Sequence, residues 1–98
     1  MSILVVGGDR LGNIMDKLKK NGFNKIAHVT GRKKGDRKIK IPENTDLVLI
    51  FTDFIGHNMT EIVKEESRRN NVSVMFSKRS WSSMYKNIEQ YKNQTKAF

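Results

Sequence analysis

Asp46-Leu47-Val48-Leu49-Ile50-Phe51-Thr52 is the strongest strand signal in the chain, and Asp53-Phe54-Ile55-Gly56-His57-Asn58 follows it without a gap. A short apolar run bounded by turn residues reads as a strand, and the segment behind it reads as a turn opening a helix. That helix is expected from about Asn58 to Asn70, with Met59, Ile62, Val63 and Ser67 facing inward. Upstream, residues 2–6 (Ser-Ile-Leu-Val-Val) close on Gly7-Gly8, as expected of a strand buried on both faces. Asp9 to about Asn21 then carries Leu11, Ile14, Met15 and Leu18 at helical spacing, and Asn21-Gly22 ends it, since glycine supplies the left-handed residue at a helix C-terminus.

Residues 25–30 read as a further strand, and Ile39–Ile41 as a short extended piece before Pro42. Val72–Phe76 reads as another strand, and Ser80 opens a last helix with Trp81, Met84, Tyr85 and Ile88 on its apolar face. Strands that alternate with helices imply a parallel sheet with right-handed crossovers. For four strands the natural doubly wound order is 2-1-3-4, with a switch point between the first and third. The expected architecture is a three-layer Rossmann-like α/β domain over residues 1–91 with four or five mainly parallel strands, followed by a polar tail at 92–98.

Composition narrows the partner. The chain has 98 residues, no cysteine, and 19 Lys and Arg against 10 Asp and Glu, a formal charge of +9. Such an excess favours anionic partners. It is concentrated: residues 31–40 carry six basic groups and one acidic group. Without cysteine there is no disulfide framework, thiolate metal site or cysteine nucleophile. No apolar run reaches the roughly 18 residues needed to span a bilayer, and the N-terminal run reads as a strand rather than a signal peptide. These points lead us to expect a cytoplasmic protein with no membrane partner. Two open sheet edges on so small a domain make a homodimer an expectation as well.

In a doubly wound sheet, ligands bind beyond the carboxyl ends of the strands. Four segments fall on that rim: Gly7-Gly8-Asp9-Arg10, Thr30-Gly31-Arg32, Thr52 to Asn58, and Ser77-Lys78-Arg79-Ser80. Three of them lead into helix N-termini, where free N–H groups and the positive dipole end attract anions. Asp9, Asn58 and Ser80 are the residues expected to cap those helices. The anion-binding set is Arg10, Arg32, Lys33, Lys34, Arg37, Lys38, Lys78 and Arg79. The ligand rim is Gly7, Gly8, Asp9, Asp53, His57, Asn58 and Ser80.

A dinucleotide site fits poorly. Gly7 and Gly12 occupy the outer positions of Gly-x-Gly-x-x-Gly, but Asp9 stands where the backbone should approach a pyrophosphate, and its carboxylate would repel one. Gly31-Arg32-Lys33 replaces the acidic ribose anchor, and the phosphate-loop signature is absent. No cofactor is therefore expected. His28, Asp53 and His57 supply the residue types of a two-histidine, one-carboxylate metal or haem set, without any local ligand spacing to support it. Ser77, Ser80, Ser82 and Ser83 lack a nucleophile elbow, so a binding role outranks an enzymatic one.

The rim segments also resemble a known family. Gly7-Gly8, His28-x-x-Gly31-Arg32, Asp46-Leu47-Val48 leading to Thr52-Asp53-Phe54-Ile55-x-His57-Asn58, and Ser77-x-Arg79-Ser80 are similar to the bacterial domain of unknown function DUF2325. The likeness runs from about residue 3 to 85. It implies a small Rossmann-type domain in which Gly7, Gly8, His28, Gly31, Arg32, Asp53, His57 and Asn58 match the family pattern, and it associates some members with metal or haem. The basic loop and lysine-rich ending depart from that pattern. Three functions follow as expectations. The first is a non-enzymatic binder of nucleic acid or another polyanion, with Phe54 and Trp81 available for base stacking. The others are a sensor of a small nucleotide or phosphorylated ligand, and a metal or haem protein.

Overall fold

Leu47–Phe51 is buried along its whole length because it lies between two strands and between two layers of helix. A computed structural model describes residues 1–30, 39–53 and 55–95 of the chain. Among them β1 (Ser2–Val6), α1 (Asn13–Lys20), β2 (Lys25–Val29), β3 (Leu47–Phe51), α2 (His57–Arg69), β4 (Ser73–Ser77) and α3 (Trp81–Thr95) follow in sequence. The sheet has the order β2-β1-β3-β4 with every pairing parallel, as the βα alternation predicts. Ile39–Ile41 forms no strand, and among the described residues the sheet has four strands, within the four or five expected.

Side chains alternate across the two faces of the sheet. Ile3, Val5, Leu47, Leu49 and Phe51 pack with Leu11 of the preceding loop, with Ile14 and Leu18 of α1 and with Met84 and Ile88 of α3. Leu4, Val6, Val48 and Ile50 pack on the other side with Met59 and Val63 of α2 and with Ile39. The central strands therefore need apolar residues at every position, which is why their sequences show no alternation. Ile39 forms no strand, but it closes the α2-side core.

Two helices end in the same way. At the end of α1, Phe23 N–H reaches the Leu18 carbonyl at 3.1 Å and Gly22 N–H the Lys19 carbonyl at 3.2 Å, with Gly22 at φ 98°. At the end of α2, Val72 N–H reaches the Ser67 carbonyl at 2.9 Å and Asn71 N–H the Arg68 carbonyl at 3.2 Å, with Asn71 at φ 54°. Both are Schellman caps, and each turns the chain directly toward the next strand.

The helix starts differ from expectation. α1 begins at Asn13 with Gly12 at its N-cap, and α2 at His57 with Gly56, neither with a side-chain cap. Asp9 and Asn58 are therefore not caps. Gly7 and Gly8, at φ 111° and 78°, begin the turn at the end of β1, and the connection runs on to Gly12, leaving Asp9 in a loop. Ser80 does cap α3: its hydroxyl accepts the Ser83 N–H at 3.3 Å. Met15 is 36% and Tyr85 45% exposed, each one position off the buried stripe of its helix. α3 continues past Tyr91 to Thr95, beyond the expected domain end.

At the opposite edge of the sheet, Asp46 ties three segments together. Its carboxylate accepts the Ser2 N–H at 2.7 Å and its carbonyl accepts the Tyr91 hydroxyl at 3.2 Å. Burial first, and the Asp46 charge second, push the Tyr91 phenol above its ordinary value. Folding thus favours the protonated phenol. That contribution is complete below the unfolded-chain value of about 10 and is lost as pH rises through the folded value. Tyr91→Phe should cost roughly 0.5–1 kcal/mol at neutral pH for the lost hydrogen bond. Its stability gap to the parent chain should narrow above about pH 10, as measured by urea unfolding across pH.

Candidate anion-binding rim

The carboxyl ends of the strands meet at Arg79. Parallel pairing continues past β1, where Gly7 N–H donates to the Val29 carbonyl at 2.8 Å. The Gly7 carbonyl in turn accepts His28 Nε2–H at 2.9 Å, so His28 braces the turn from the neighbouring strand. At Gly8 the φ of 78° disfavours a side chain. A Cβ there would lie 3.5 Å from Arg79 Nε and 3.6 Å from its Cδ, so Arg79 lies across the bare backbone of Gly8.

Arg79 makes two further ties. Its guanidinium donates to the Arg10 carbonyl. Its own backbone N–H is accepted by the Asp53 carboxylate, at 3.1 and 3.3 Å to the two oxygens. The loops after β1, β3 and β4 are thereby held by one residue. An open depression of about 380 Å³ lined by Gly8, Asp9, Arg10 and Arg79 lies above them. Arg10 and Lys78 are exposed and Arg79 is half-buried.

Several residues expected at the site do gather: Gly7, Gly8, Arg10, Asp53, Arg79 and Ser80 are joined directly or through a neighbour. Asp9 lines the depression with them. His57 and Asn58 lie exposed in the first turn of α2, which packs on the opposite face from α1 and α3. Gly31, Arg32, Lys33, Lys34, Arg37, Lys38 and Phe54 lie outside the described residues. β2 ends at Val29, paired with Val6, so the chain leaves for the basic segment beside Gly7. Among the described residues no group of histidine, aspartate and glutamate is arranged to hold a metal. His28, Asp53 and His57 therefore do not form the metal set that their residue types suggested, and His28 Nε2 is taken by the Gly7 carbonyl.

Charge on α2 is locally balanced. On α2, Glu61 pairs with Lys64 at 3.6 Å, Glu65 with Arg68 at 2.6 Å and Glu66 with Arg69 at 3.1 Å. The hydrogen bond from Arg68 is the main cause of the lowered Glu65 value, and Glu65 raises that of Arg68. Exposed pairs of this kind contribute little to stability. They do remove α2 as a source of net positive field.

Two residues on the α1–α3 side were not singled out by sequence as a pair. Lys17 holds its ammonium 5.5 Å from the centre of the Trp81 ring, and Tyr85 lies one turn further along α3. A contact between a lysine and a tryptophan 64 positions apart in the chain has no local signature.

Asp53→Ala removes the acceptor of the Arg79 N–H and should lower stability by about 1 kcal/mol. For a chain of this size that is roughly 4–8 °C in thermal midpoint. Asp53→Asn keeps one oxygen as acceptor and should recover most of the loss, as read by thermal unfolding of the three proteins.

The model of a family described as "Uncharacterized protein conserved in bacteria (DUF2325)" matches residues 2–91. No curated protein and no solved structure matches the chain.

Proposed function

The chain belongs to DUF2325, a family of uncharacterised bacterial proteins, and for it we propose a non-enzymatic role: binding nucleic acid or another phosphate-rich polyanion through the C-terminal rim of the sheet. The observation that carries this reading is the position of Arg79. It lies across Gly8 and on the Arg10 carbonyl, with exposed Arg10 and Lys78 beside it. The segment carrying Arg32, Lys33, Lys34, Arg37 and Lys38 follows Thr30 directly in the sequence. The pairing along α2 means that the +9 charge is carried by the rest of the chain, the rim and α1 among it.

The form of the site favours an extended anion over a compact nucleotide. Small ligands are usually held in pockets that bury most of their surface, whereas the depression at Gly8 and Arg10 is open. The Asp53 carboxylate, which accepts the Arg79 N–H just before α3, also sets a negative charge beside that helix start, against a lone phosphate there. A polyanion requires no enclosure: its affinity comes from counterions released as each phosphate is neutralised. No helix of the described residues is long and apolar enough to cross a membrane, and a cytoplasmic location fits this reading. One copy of the chain suffices for it. Whether the β2 and β4 edges join two copies is read from the elution mass of the same samples.

Fluorescence-anisotropy titration of labelled DNA at low and high salt tests the proposal. Affinity should fall steeply with salt. Arg10→Ala and Lys78→Ala should each flatten the log–log slope by about 0.7–0.9. Absence of binding at low salt, or binding indifferent to salt, would sink the idea.

A further inference from the structure

From the aromatic surface beside the rim we infer that the polyanion is single-stranded nucleic acid, whose unpaired bases stack on Tyr85 and Trp81. This rests on the polyanion reading and adds a partner class to it. Trp81 is the first residue of α3, two positions after Arg79. It is half-buried against the α1–α3 core, with its outer part open. Tyr85 stands next to it, 45% exposed, with ring centres 6.0 Å apart and planes inclined at 53°. The Lys17 ammonium lies 5.5 Å from the Trp81 ring centre.

A single exposed apolar side chain on a small protein needs no explanation. Here two aromatic rings adjoin each other, a cation covers one, and the pair begins where the arginine rim ends. The surrounding charge is complementary to a nucleic-acid backbone: α1 carries Lys17, Lys19 and Lys20 against Asp16, and Lys78 and Arg79 precede Trp81. Basic groups interleaved with exposed rings are the elements of single-strand recognition, in which cations track phosphates and rings receive bases. A duplex satisfies the cations but keeps its bases stacked inside, so only an unpaired strand uses both features.

Trp81 is the only tryptophan, so its emission reports on this surface alone. The full chain is titrated at low salt with three probes of equal length: oligothymidylate, a duplex, and an abasic oligomer with the same phosphates and no bases. Oligothymidylate should quench the tryptophan and bind about tenfold more tightly than the abasic strand, given the usual worth of one stacked base. The duplex should leave the emission unchanged. Tyr85→Ala should lower oligothymidylate affinity about tenfold without altering the other two affinities. Tyr85→Phe should restore it, and thermal unfolding confirms that both variants are folded. Equal affinity for the three probes with unchanged emission, tighter binding of the duplex, or indifference to Tyr85→Ala overturns the stacking inference and leaves the polyanion reading standing. No binding of any probe overturns both.

Discussion

Burial of β1 and β3 on both faces is the constraint from which the rest of the structure follows. Two adjacent strands with apolar side chains at every position must have helices above and below. α1 and α3 take one face and α2 takes the other. With parallel pairing, each strand must be left by the same edge, so the connections after β1, β2, β3 and β4 all begin there. The rim is thus a geometric consequence of the core, and its chemistry depends on what those connections contain.

They contain an unequal mixture of charge, organised by Arg79. Asp53 holds the backbone just before α3, and the Arg79 side chain reaches back over Gly8 to the Arg10 carbonyl. Glycine at position 8 is required by the backbone, since φ 78° would strain a residue with a side chain, while a β-carbon would meet the arginine stem only at ordinary van der Waals distance. The paired helix α2 meanwhile cancels its own charges. The cations at the strand ends, Arg10, Lys78 and Arg79, lie instead beside the carboxylates of Asp9 and Asp53.

Much of this was legible in the chain because the signals were local. The strand runs, the Asn21-Gly22 stop and the Ser80 cap each depend on neighbours within one turn, and the structure has them close to where the residues predict. The errors arose where tertiary geometry decides. Asp9 looked like a cap, but the Gly7-Gly8 turn, with both φ values positive, begins a crossing to the helix layer that ends only at Gly12. Tyr85 fits an apolar helical stripe, but the buried line on α3 runs through Met84 and Ile88 and leaves Tyr85 outside. His28 and Asp53 carry the residue types of ligands, and in the structure both make hydrogen bonds that brace the rim. The same polar side chain serves either purpose, and only the position of its partner tells them apart.

The chemistry of arginine explains how one residue can build the rim and, under the proposed function, also meet a partner there. A guanidinium carries five N–H donors on a rigid plane, and the Arg10 carbonyl engages its Nη2 end. The Arg79 side chain meanwhile lies against the backbone of Gly8, 3.5 Å from where a β-carbon would stand. A lysine here would have to choose, since its single flexible ammonium is a point charge without a preset second edge. The internal bond also immobilises the long side chain before any partner arrives, so less conformational freedom is lost on binding. If the rim binds anions as proposed, holding the loops together and presenting a prearranged cation are one structural act, and rim stability and anion affinity are coupled through Arg79.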